Sequence, residues 1–69
     1  MKKAALLEYG GMLYALGIEL ERERDDLAWL VERGVGFETA MMRLAYEDYR
    51  QTAEAFGILE KQYQALLDK

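Results

Sequence analysis

The stretch RGVGF, Arg33 to Phe37, is the one place in this 69-residue chain where the pattern stops reading as helix. There is no proline, and both flanks are dominated by Ala, Leu, Glu, Arg, Met, Gln and Lys, the strong helix formers. Gly34 suits the left-handed position just past a helix end, and Arg33 places positive charge beside the exposed carbonyls of a last turn. Gly36 completes a short connection. No alternation survives long enough to make a strand. The chain is therefore expected to be all-α, a two-helix hairpin with helices over about 3–33 and 37–67, each about 45 Å long at 1.5 Å per residue. A short connection makes the two antiparallel. A turn centred on Gly34 to Gly36 sets Leu27 against Leu44, Leu30 against Met41 and Leu13 against Ile58. It also puts Gly17 opposite Ala53 or Glu54, and Gly10 and Gly11 near Glu60 and Lys61.

Seven-residue spacing marks the faces these helices would bury. In the first, Leu6, Leu13, Leu20 and Leu27 align, reinforced by Tyr9, Leu16, Leu30 and Val31. In the second, Met42, Tyr49, Phe56 and Tyr63 align, with Ala45, Thr52, Leu59 and Leu66 beside them. On the far side of the second helix, Arg43, Glu47, Arg50, Glu54 and Lys61 alternate in sign at spacings that support weak ion pairs across a solvated surface. The charged run from Glu21 to Asp26 fills the gap between Leu20 and Leu27 without disturbing their alignment, and Arg22 and Asp26 are spaced to attract. A break near Asp25, with an aspartate as N-cap, would instead give a three-helix bundle.

The first helix carries a second apolar face. Leu7, Gly11, Tyr14 and Ile18 are spaced four, three and four, and Trp29 falls close to the same azimuth beyond the charged run. One partner helix covers a stripe of about 100° and cannot cover both faces. Gly10, Gly11 and Gly17 add a second demand, since each costs about 1 kcal/mol relative to alanine inside a helix. Close approach by a bulky Tyr or Phe of a neighbouring helix offsets that cost; the alternatives are a helix break at Gly10–Gly11 and an open groove. Two hairpins clasped into an antiparallel four-helix bundle satisfy both demands, with Leu7, Gly11, Tyr14, Ile18 and Trp29 as the self-association face.

Composition narrows the function classes. Residues 1–69 allow one small helical domain, and a chain of this length buries only about 60 % of the surface it exposes when unfolded. Cysteine, histidine and serine are all absent, which rules out disulfide staples, zinc sites and Ser-His or Cys-His nucleophiles. All-α nucleotide pyrophosphohydrolases hold magnesium with Glu-x-x-Glu and Glu-x-x-Asp pairs; here only Glu23-x-x-Asp26 is present, and no Glu-x-x-Glu occurs. The sequence GVGFET lacks the Gly-Lys-Ser/Thr of a phosphate loop. No catalytic residue, metal or cofactor is expected, and the chain is expected not to be an enzyme.

The net charge of −4 argues against nucleic-acid binding, which relies on Lys and Arg against phosphates. The eight aromatic residues lie among Leu and Met rather than among basic residues, which favours core or interface over base stacking. Lys2 and Lys3 precede an apolar stretch, but Glu8 interrupts it and no small-residue cleavage site follows, so neither a signal peptide nor a membrane span is expected. The absence of cysteine fits a cytoplasmic location. The leading expectation is a homodimeric protein–protein interaction module, an adaptor or regulator with a further protein partner. Two others stand beside it: an acidic inhibitor that mimics nucleic acid through Glu19, Glu21, Glu23, Asp25, Asp26 and Glu32, and a small nucleic-acid-binding hairpin dimer.

Overall fold

A computed structural model describes residues 2 to 68. They form two helices, α1 over Lys2–Glu32 and α2 over Ala40–Leu67, folded back on one another as an antiparallel hairpin; the described residues contain no strand. Helix α1 is continuous. Neither Gly10–Gly11 nor Asp25 interrupts it, so the three-helix alternative does not form.

The connection is built by local hydrogen bonds at both ends. Gly34 takes φ +76°, a conformation open to glycine without steric penalty. Its N–H donates to the Val31 carbonyl and the Val35 N–H donates to the Leu30 carbonyl, the paired bonds of a Schellman stop. Helix α2 starts later than residue 37. The Thr39 hydroxyl accepts the Met42 N–H at 3.2 Å and donates to the Gly36 carbonyl at 2.8 Å, so Thr39 is the N-cap and the helix begins at Ala40. Phe37, left in the connection, meets Tyr46 edge to face with ring centres 6.4 Å apart.

This longer connection shifts the register. A methyl group placed on Gly10 would lie 3.9 Å from the Tyr63 hydroxyl, and one on Gly17 would lie 3.7 Å from Phe56 Cε2. Both pairs run two positions further along α2 than a turn at Gly34 to Gly36 would give. Leu44, Met41 and Ile58 consequently point outward, and do not meet Leu27, Leu30 and Leu13. Met42, Ala45 and Leu59, which follow them on α2, are buried or half-buried in the seam instead.

The seam is thin. Leu6, Tyr9, Leu13, Leu16, Leu20 and Leu27 of α1 are half-buried, as are Ala45, Tyr49, Thr52, Phe56, Leu59, Tyr63 and Leu66 of α2. Val31 lies outside it and is exposed. Only Leu30 and Met42 are buried among the described residues, and both sit beside the connection. Met42 alone is closed off completely, at 0 % exposure. The molecule is a rod of 49 × 15 × 14 Å with a radius of gyration of 15.4 Å; a compact domain of this length has a radius near about 11 Å. Two helices side by side have no third element to close over their outer faces, so burial fades away from the turn.

Candidate self-association face

The outer side of α1 carries the two most exposed large apolar side chains among the described residues. Leu7 is 80 % exposed and Tyr14 is 74 % exposed, and Ile18 is also exposed. The residues three and four positions from Tyr14 are Gly10, Gly11, Gly17 and Ile18, so no charged residue lies one turn from it along α1. The three glycines of this segment divide between two faces. Gly10 and Gly17 turn toward α2, where an added Cβ would meet Tyr63 and Phe56 at ordinary contact distance, so some room remains beside both rings. Gly11 turns outward, and nothing lies within 4 Å of the place its Cβ would take. Inside this hairpin, Gly11 thus carries the helix-propensity penalty of glycine, about 1 kcal/mol, with no close neighbour in return.

Beside this face lies a groove of about 400 Å³ lined by Leu13, Tyr14, Gly17, Ile18, Glu21 and Phe56. Its lining is mostly apolar, and Glu21 is its one ionisable carboxylate. The groove exists because Gly17 offers no side chain to fill the space next to Phe56. A shallow, solvent-open depression lies near the end of α2 among the exposed residues Glu60, Lys61, Gln64, Ala65 and Asp68.

Trp29 sits apart from these residues. Its ring is half exposed and is stacked by the Arg33 guanidinium, whose carbon lies 3.6 Å from the ring centre. Arg33 therefore covers part of the indole at the turn, an arrangement that the spacing of Trp29 from Ile18 does not reveal.

The charged segment is also less uniform than its composition suggests. Glu23 is drawn into the seam, half-buried, because Tyr9, Leu16, Glu23 and Leu30 fall at successive sevens. Its Oε1 atom is enclosed without a hydrogen-bond partner. Arg22 pairs with Glu19, one turn before it, and not with Asp26. On α2, Arg50 joins Glu47 at 2.7 Å and Glu54 at 3.5 Å. The hydrogen bonds from Arg50 hold the Glu47 carboxyl below its ordinary value, and Glu47 in turn raises Arg50. These pairs lie on the exposed side of the helix, where each is weak.

Leu44 and Ile58, fourteen positions apart on α2, form a further exposed apolar set that the register centred on Gly34 to Gly36 hides. Their spacing by multiples of seven, continued at Ala65, is the signal that finds them. Among the described residues no group of three acidic side chains is placed to hold a metal ion, and no helix is long and apolar enough to cross a membrane. Comparison with protein-family models, curated proteins and solved structures finds no match to the chain.

Proposed function

We propose that this chain is a non-enzymatic helical interaction module that works as a homodimer, two hairpins joined as a four-helix bundle. The observation that carries this reading is the contrast between Leu7 and Tyr14, mostly exposed, and a core confined to Leu30 and Met42. The surface is also large enough. The accessible surface is 5390 Å², whereas a compact monomer of this mass exposes about 4,500 Å². The excess, roughly 900 Å², comes from the elongated shape of the whole hairpin, polar and apolar surface together, and leaves room for an interface in which each partner buries about 800 Å². An apolar patch of this kind is unusual on a protein that remains single.

Pairing through α1 leaves Leu44 and Ile58 of α2 on the outside, duplicated by the two-fold relation between copies. They supply the surface for a further protein, which gives the adaptor role its physical basis. Sedimentation equilibrium at micromolar concentration tests the first half, with twice the chain mass as the expected result; a single chain that still unfolds in one sharp transition contradicts it. The adaptor half is tested by the double variant Leu44→Glu/Ile58→Glu. It is expected to remain dimeric while losing a protein partner recovered with the unmodified dimer, and retention of that partner would contradict the assignment.

A further inference from the structure

Resting on that reading of the chain as a homodimer, we infer that the two copies meet α1 against α1, antiparallel, about a two-fold axis level with Met12 and Leu13. The spacing of the outer face supports this geometry. Leu7, Gly11, Tyr14 and Ile18 follow one another at four, three and four positions, a series that reads the same in both directions. A two-fold interface, in which residue i touches j while j touches i, accommodates such a series about its midpoint. Reversal about the midpoint sets Leu7 against Ile18 of the second copy and Gly11 against its Tyr14.

Shape complementarity follows from those pairings. Tyr14, which stands out from the surface, arrives at Gly11, where no atom occupies the space beyond the backbone. Leu7 of the second copy arrives beside Ile18, at the groove that Gly17 and Phe56 leave open, and that groove is large enough to admit a leucine side chain. Large against small is repeated on both sides of the axis, as interdigitating layers require. A parallel arrangement would set Tyr14 on Tyr14 and Gly11 on Gly11, a collision next to a void.

Charge favours the same direction. Lys2 and Lys3 lie at one end of α1; toward the other, Glu21, Glu23, Asp25 and Asp26 stand against Arg22 and Arg24, leaving residues 21–26 net acidic. Antiparallel pairing brings the lysines of each copy level with Arg22 and Glu23, inside this net-acidic segment of the other, whereas parallel pairing stacks like on like. Such complementarity fixes orientation more than it adds affinity. Contact of the α1 face with the Leu44–Ile58 set of α2 would instead join two different patches, and such contacts tend to propagate into open chains of molecules rather than close into a dimer.

The chain has no cysteine, so single introduced thiols report contacts without interference. Leu7→Cys and Ile18→Cys variants are mixed and oxidised gently, and each is also oxidised alone. The expected product is a cross-link between the two variants, with little from either alone. A Leu7→Cys homodimer cross-linked in high yield would establish a parallel arrangement and overturn the inference. So would a cross-link of Leu7→Cys to Ile58→Cys in preference to Ile18→Cys. Sedimentation of the unmodified chain separates the two levels of failure. A dimer that gives no Leu7-to-Ile18 cross-link overturns the antiparallel register alone, and a monomer overturns self-association with it. As a second arm, Gly11→Leu places a side chain where the hairpin has open space. It should keep full helicity while weakening dimerisation roughly tenfold or more; dimerisation unchanged by that substitution would contradict the socket at Gly11.

Discussion

Helix α2 sends Tyr49, Phe56 and Tyr63 into the seam and most of its charge to the far side, where Arg50 bridges Glu47 and Glu54. Helix α1 sends leucines into the same seam but keeps a second apolar face around Tyr14, and confines most of its charge to the segment after Glu19. The apolar residues that α2 leaves outside, Leu44 and Ile58, each have charged neighbours three or four positions away, whereas Tyr14 has none. Both helices thus leave apolar side chains outside the seam, but those of α2 stand beside charge whereas Tyr14 of α1 stands among glycines. Glycine placement follows the same division, with Gly10 and Gly17 serving the neighbour already present and Gly11 facing the side where there is none.

Substitutions at the two ends of this contrast should differ most. Met42→Ala removes the one side chain that is fully enclosed, and is expected to cost about 2–4 kcal/mol, read as a fall in melting temperature of roughly 10 °C or more. Leu44→Ala, two residues away and 68 % exposed, should change stability by less than about 0.5 kcal/mol. Equal effects from the two would break the description of the seam.

Glu23 offers the next largest effect, in the opposite direction. Its enclosed Oε1 has no partner, and an unsatisfied buried acceptor costs about 1–3 kcal/mol. Glu23→Leu should therefore raise stability by about 1 kcal/mol or more in thermal or denaturant melts, and a loss of stability would show that the carboxylate has a partner in the working assembly. Gly34→Ala comes next. A Cβ at φ +76° is strained, so a loss of about 1 kcal/mol is expected from the hairpin turn, with dimer contacts along α1 unaffected.

The smallest effect belongs to the exposed pair of α2. Arg50 holds Glu47 below its ordinary carboxyl value of 4.5. A depressed folded-state value contributes stability that is present above the unfolded value and disappears as pH falls through the folded one. Glu47→Gln should accordingly lower the melting temperature slightly at neutral pH and not at all once the carboxyl is protonated in both states. Added salt should shrink the neutral-pH effect as well.

The helical hairpin was legible in the sequence because its signals are local. Seven-residue spacing and the glycine after Arg33 each act within a turn or two of chain. The register was not legible to the same precision, for a reason that lies in Thr39. Its hydroxyl caps Met42 and moves the start of α2 from residue 37 to Ala40, which slides every facing pair along by two and exposes Met41, Leu44 and Ile58. A threonine immediately before a run of apolar helix formers is a recognisable cap; glycine at 34 and 36 points to a tighter turn. Glu23 was hidden differently. Its charge assigns it to the wet side, while its place in the series from Tyr9 to Leu30 puts it in the seam, and geometry prevails over polarity there. Arg33 over Trp29 depends on the path of the chain after the helix ends, which periodicity does not encode.

That α1 needs a second molecule to cover Tyr14 and its neighbours can be tested most directly by melting the chain at two concentrations. A homodimer whose separate hairpins are marginal unfolds and dissociates together, so raising the concentration from about 1 μM to about 100 μM should raise the melting temperature by on the order of 10 °C. Tyr14→Lys should abolish that dependence. A melting temperature that is the same at both concentrations in the unmodified chain, with a single sharp transition, would mean that the lone hairpin is stable with its second face in water, and the account would be wrong.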